Sequence, residues 1–468
     1  MPRCSGSTIC CGPWKTSPIR PPTRQGSRWP RIANGLAPES PWSSIVTSEC
    51  FVHIALPGET TFVTAGRFAL ETDRHGVATG RFVYGKSYLG RENAVPLDPM
   101  ELKLSNKTYE TRLLKGMFGA LRDASPDHWG RHIIERHLGS PRPDELDYLL
   151  HSPDDRAGAL GFGVNQEPPA PKRTFNRTLE LERLQAFADA IIRDEELPQD
   201  PDAAQVQELM DGATSMGGAR PKAVVEDDHA LWIAKFNRKD DQWNHARVER
   251  AMLQLARACG IHSAESKLAT IGDRDTLLVK RFDREHTVSG YRRARMLSAL
   301  TLLRAEDTHQ DRAKWSYVLL AEELRRISDQ PKADAHELFR RMCFNALISN
   351  TDDHPRNHAV IAMESDWKLS PAYDLVPDMP ISLERRDLAL ECGDMGRYAH
   401  AGNLLSQSAR FLLEPQEAEA MIAELEQTVR DRWYEVARRE GVSEKDCVTI
   451  RPAFAYAGFR LPISADAV

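Results

Sequence analysis

Cysteine is scarce in this chain, with eight in 468 residues, and Cys50, Cys259, Cys343, Cys392 and Cys447 each stand alone. Cys4, Cys10 and Cys11 cluster near the start, but no second Cys/His pair completes a zinc pattern. A disulfide framework and a zinc module are therefore not expected, and reduced thiols suit a cytoplasmic protein. Long hydrophobic runs are also missing: none approaches the ~20 apolar residues that span a bilayer. Positive charge is not in excess, since 62 Lys and Arg face 68 Asp and Glu for a net charge of -6. That balance excludes a global basic field for gripping nucleic acid. Residues 1–44 have no continuous apolar segment of the kind a signal peptide needs. They are rich in Pro, Arg, Ser and Gly, and residues 1–46 read as a disordered tail.

What is present is the composition of a globular protein, 41% hydrophobic and 28% charged, long enough for two or three packed units. Residues 47–165 read as a β-rich part with some helices: Phe51–Leu56, Arg67–Leu70 and Arg81–Tyr84 carry strand signals. Helical patterns follow at Tyr109–Leu121 and Trp129–Leu138. The three prolines between Gln166 and Arg173 mark a linker, and Leu179–Glu196 reads as a helix. Residues 166–283 continue with hairpins, Ala223–Val225 with Ala230–Phe236 and Leu268–Ile271 with Thr276–Phe282, around a helix at His245–Cys259. Residues 284–460 read as helical. One of those helices, Ala335–Asn350, is expected to open with Asp334 and Glu337 as a capping box.

Four segments carry chemistry. Thr214–Lys222 holds Gly217 and Gly218 among small residues, a backbone able to approach phosphate; a plain loop is the competing reading. Lys235 alternates with Leu231 and Ile233 on one strand face. It can serve as a phosphate lysine oriented by a carboxylate, with Glu249, Glu265 and Glu208 as candidates, or as an edge-strand lysine. Asp352 and Asn357 stand five apart (357 − 352), the D-x-x-x-x-N spacing of a kinase catalytic loop. There the aspartate would receive a hydroxyl proton and the asparagine would hold magnesium; a turn rich in Asn, Asp and Pro is the alternative. Asp374 follows a short strand 22 positions beyond Asp352 (374 − 352), in the order of a kinase's second metal ligand.

Together with Leu121–Gly130, Asp154–Leu160 and Val279–Arg284, these segments resemble the HipA-like family of bacterial serine/threonine kinases, the toxin members of toxin–antitoxin systems. The resemblance runs from about Phe51 to Leu413. It implies an α+β, atypical two-lobed kinase-like fold with a strand-rich N-terminal part and an all-helical C-terminal lobe. It implies Asp352 as catalytic aspartate, Asn357 and Asp374 as magnesium ligands, and Lys235 as the ATP-phosphate lysine. Ser215, Met216, Gly217, Gly218 and Ala219 would form the nucleotide loop, Ser215 being the autophosphorylation site. Lys222, His354 and Arg356 would border the nucleotide, and Lys280 and Phe282 would lie in the adenine hinge. ATP and magnesium are the implied cofactors. The implied partners are a translation-related protein substrate such as an aminoacyl-tRNA synthetase, and a helix-turn-helix antitoxin through which any DNA contact would run. A small-molecule or lipid kinase, and a non-catalytic kinase-like corepressor partner, are the alternatives.

Overall fold

A computed structural model describes residues 46–138, 143–193 and 220–462, apart from 153, 155, 172–174, 229, 380, 381, 383 and 455. The expected N-terminal tail lies outside the described residues. The described residues all belong to one compact unit.

The first sheet comprises β1 (Val46–Ala55), β2 (Phe62–Thr72), β3 (Ala78–Tyr84), β4 (Tyr109–Thr111) and β5 (Leu160–Gly163), in the order β4-β3-β2-β1-β5, every neighbouring pair antiparallel. Alternation explains β1: Cys50, Val52 and Ile54 are buried, as a period of two requires. Glycine is required at position 80, because a Cβ there would stand 1.8 Å from the Gly116 carbonyl oxygen. The segment expected as one helix, Tyr109–Leu121, is instead β4, a 3-10 turn at Leu113–Gly116 and a short helix at Gly119–Asp123. Leu114, Lys115 and Gly116 all adopt positive φ, which no helix pattern can carry.

The second sheet holds β6 (Asn176–Arg177), β7 (Lys222–Glu226), β8 (Leu231–Phe236), β9 (Ser266–Ile271) and β10 (Arg274–Lys280), in the order β6-β7-β8-β10-β9. Both expected hairpins are present, and the helix between them spans His245–Ala258. The helix expected at Leu179–Glu196 is described over Leu181–Ile192.

The C-terminal part is not all helical. It contains the hairpin β11 (Arg284–Thr287) and β12 (Gly290–Arg293), and a sheet of β13 (Arg295–Ser298), β14 (Ala359–Ala362) and β15 (Lys368–Leu369) in the order β13-β14-β15. β14 is a four-residue buried run, too short for periodicity to distinguish strand from helix. The long helix before the loop of interest is Pro331–Ile348, with Pro331 in its first turn, where a missing N–H costs nothing. Asp334 is therefore one turn inside rather than a cap. It accepts from Ser328 Oγ at 2.6 Å and Leu369 N at 2.8 Å.

Two motifs join the parts. Asp123 accepts from Ser298 N and Oγ at 2.6 and 2.7 Å, and Arg122 donates to the Ala305 carbonyl at 2.7 Å. Elsewhere Arg281 and Arg284 close on Asp283 at 2.9 and 2.7 Å, with side chains no more than 1% exposed. The Gly158 amide donates to Asp283 at 3.0 Å, and both arginines donate to the Arg156 carbonyl at 3.0 and 2.7 Å. This sealed cluster holds the 154–160 and 279–284 segments together.

Candidate active site

β8 sets the first side chain. Lys235 lies opposite Lys222 of β7 and Leu277 of β10, so the three share one face. The His245–Ala258 helix packs there through Ala246, beside Leu277 and Val279. This brings Glu249 to the lysine: Lys235 Nζ donates to Glu249 Oε1 at 2.6 Å and to Asp374 Oδ1 at 2.6 Å. Glu265, a rival candidate in the sequence, instead pairs with Lys280 at 2.9 Å. Glu208 lies outside the described residues.

The electrostatics follow from one cation between two acids. Burial opposes the Lys235 charge, but Asp374 and Glu249 outweigh it and hold its pKa above the ordinary value. Burial likewise works against Asp374, yet Lys235 keeps its pKa below normal. At Glu249 burial wins and the pKa is raised. Asp374 sits in the left-handed region at φ 58°, a costly conformation that non-glycine residues hold mainly at functional sites. Its neighbour Tyr373 fixes the turn, donating its hydroxyl to the Arg356 carbonyl at 2.6 Å.

The loop bearing Asp352 leaves the Pro331–Ile348 helix through Ser349, also left-handed at φ 56°. It ends in a 3-10 turn at Pro355–Asn357, capped by His354 Nδ1, which accepts from the Arg356 amide at 3.0 Å. With Nδ1 accepting, the other ring nitrogen, Nε2, carries the proton and donates to Asp307 Oδ1 at 3.0 Å. Arg356 Nε reaches the second Asp307 oxygen at 3.3 Å. Asn357 uses its amide nitrogen on the Asp352 carbonyl at 3.3 Å. Asp352 itself opens to the cleft; the desolvating recess and then the Asp374 charge raise its pKa.

Two cavities meet at these aspartates. One, of about 340 Å³, is lined by Asp352, His354, Arg356, Asn357 and Asp374, with Asp127, His128, Arg131 and Asp307. The other, of about 280 Å³, is lined by Lys222, Lys235, Asp352 and Asp374, with Arg220, Trp243 and His245. Lys280 and Phe282 line a third cavity of about 770 Å³, although the Phe282 ring stands 5.5 Å from that of Tyr373. Ser215, Met216, Gly217, Gly218 and Ala219 lie outside the described residues. Sequence reading gave no role to Asp127, which pairs with the buried Lys222, nor to Asp307. An acid beside the Pro126 turn was the available signal for the first; nothing local marks the second.

Among the described residues no group of three or more His, Cys, Asp or Glu forms a metal cage. Magnesium does not require one: it takes one or two carboxylates and completes its shell with phosphate oxygens and water. Asp374 and Asn357, on the wall of one cavity, fit that pattern.

Comparison with known proteins agrees with this architecture. A family model described as HipA N-terminal domain matches residues 63–163, and one described as HipA-like C-terminal domain matches 214–433. A Sinorhizobium fredii protein named "Putative kinase Y4mE" is 25% identical over 329 residues, 65% of this chain and 73% of its own. A chain from the solved Shewanella oneidensis toxin–antitoxin complex of HipA, HipB and operator DNA superposes with a TM-score of 0.63. The match is 18% identical and covers 86% of this chain and 94% of that one.

Proposed function

The chain belongs to the HipA-like family, and on that premise we propose that it is an ATP- and magnesium-dependent serine/threonine protein kinase. The observation that carries the proposal is Lys235 Nζ, 2.6 Å from both Glu249 and Asp374, beside a cavity shared with Asp352. A lysine ordered by a helix carboxylate is what phosphate positioning requires. Asp352, its pKa raised, accepts the proton of the attacking hydroxyl in this reading. Asp374 and Asn357 would hold magnesium, whose charge offsets that developing on the transferred phosphoryl group. Lys222, His354 and Arg356 border the same space.

The proposal extends to a translation-related protein substrate, with an aminoacyl-tRNA synthetase as the candidate. It also extends to a helix-turn-helix antitoxin as partner and to Ser215 as a site of autophosphorylation. Labelling a cell extract with γ-labelled ATP and magnesium tests it. The intact chain should transfer label to a serine or threonine of an identifiable protein, and Asp352→Ala should not. Equal transfer by both proteins would overturn the assignment.

A further inference from the structure

Asp353, next to the exposed Asp352, is fully buried and lines neither cavity. Its oxygens both accept hydrogen bonds, from the Tyr317 hydroxyl at 2.7 Å and the Ala389 amide at 2.6 Å. The Tyr317 hydroxyl has one proton, which it donates to Asp353, so its oxygen serves as acceptor to its other neighbours. Asn345 Nδ2 donates to it at 2.9 Å, and His358 Nε2 lies at 3.2 Å. Asn345 Oδ1 in turn accepts from Asn350 Nδ2 at 3.1 Å, and that same nitrogen lies 3.5 Å from the Asp374 carbonyl. The chain of bonds starts at the neighbour of the proposed base and ends on the proposed metal ligand.

We propose that Asp353 is a positioning residue that acts through Tyr317, Asn345 and Asn350 to hold the Asp352 loop in register with the Asp374 turn. A buried carboxylate is costly unless its bonds are used. Here both of its oxygens are engaged at the head of a hydrogen-bond route from the Asp352 loop to the Asp374 turn. That route runs beside the direct bonds from the Asp378 amide to the Ser349 carbonyl at 2.9 Å and from the Thr351 hydroxyl to Asp378. Asp374 adopts a strained left-handed φ, and such a conformation persists only when its surroundings over-determine it. The Tyr373 hydroxyl on the Arg356 carbonyl ties the front of the same pair of segments. The Asp353 route ties the back. Displacing one aspartate against the other by about 1 Å would cost on the order of 10²-fold in rate.

The inference rests on the kinase reading, so its test has two arms. In the first, γ-phosphate transfer or release from ATP with magnesium is measured per folded molecule for Asp353→Asn, Tyr317→Phe and the double variant. The expected result is a fall in kcat on the order of 10²-fold with KM for ATP within about threefold. The double variant should be no worse than the poorer single, because both break one route. A kcat unchanged in both singles, or losses that multiply, would overturn the proposal. In the second arm, amide hydrogen exchange is followed in the free proteins, with no activity required. Residues 350–357 and 374–378 should lose protection together in Tyr317→Phe while β1–β5 keep theirs. Loosening of the 350–357 loop alone would overturn the coupling, even if the intact chain proved to transfer no phosphate. Failure of the intact chain in the first arm would count against the kinase reading instead.

Discussion

Two three-charge clusters lie within one sequence span and could hardly differ more in design. Lys235, Glu249 and Asp374 place one cation between two acids, and two of the three line a cavity. Arg281, Asp283 and Arg284 place one acid between two cations, with side chains no more than 1% exposed and donors turned onto backbone carbonyls. The sealed cluster satisfies its charge with its own chain, which fixes how two segments meet. The open cluster keeps an excess of negative charge at a cavity wall, where a cation and a phosphate group can complete it. A buried ion pair is weak evidence of function by itself, and Arg281 and Arg284 also border a cavity. What separates the two clusters is that the arginine side chains are no more than 1% exposed and bonded to backbone carbonyls, whereas Lys235 and Asp374 present 15% and 31% of their side chains.

The largest expected effect attacks the sealed cluster. Asp283→Ala leaves two buried guanidinium groups without their carboxylate and should cost about 3–5 kcal/mol of unfolding free energy. Urea unfolding measures that loss, and phosphate transfer per folded molecule should stay near that of the intact chain. Lys235→Ala makes the opposite prediction: kcat falls about 10²–10³-fold, as for loss of one electrostatic stabiliser. Its stability should change less than that of Asp283→Ala, because the acids left behind can take up protons. If Lys235→Ala unfolded the protein and Asp283→Ala silenced it while folded, the contrast between the clusters would be reversed.

A smaller effect appears in the pH dependence of stability. Burial pushes the Asp353 pKa up to about 7 from 3.8. Between those values the folded chain binds the extra proton, so this group's contribution to stability falls as pH rises and levels off above about 7. Burial lowers His358 to about 3 from 6.5, which acts in the opposite sense over much of the same window. The difference between the intact chain and Asp353→Asn isolates the first group. The variant should gain stability relative to the intact chain as pH goes from about 4 to about 7. A flat difference would show that Asp353 does not titrate there.

These contrasts also show what was legible in advance. The Lys235 face was readable because a strand alternates with period two. The Asp352–Asn357 spacing was readable because a turn of fixed length sets it. The partner of Lys235 was not, since Glu249 and Glu265 flank the same hairpin region and only the helix crossing decides between them. Asp307 and Tyr317 were invisible because their roles depend on contacts 47 and 36 residues away in sequence. The strands β13 and β14 were missed because four-residue, largely buried runs carry no measurable period, whereas the short strand expected before Asp374 is present as β15. The 154–160 and 279–284 motifs resembled a family, but the sequence could not say that they would bond to each other.

The smallest expected effects settle which glutamate serves the open cluster. Glu249 is buried and bonded to Lys235, whereas Glu265 is 57% exposed at the side chain and paired with Lys280, itself 41% exposed. Glu249→Gln keeps the shape of the side chain but removes the charge that orders the lysine. Phosphate transfer should fall roughly tenfold, because the lysine–glutamate pair is part of the positioning machinery. Glu265→Gln removes only an exposed pair, worth at most about 1 kcal/mol, and should leave transfer unchanged. High salt should erase even that stability difference, since exposed pairs are screened, while the Glu249→Gln deficit should persist. Unchanged transfer in both variants would mean that Lys235 is ordered by Asp374 and the sheet alone, and that the open cluster is a pair rather than a triad.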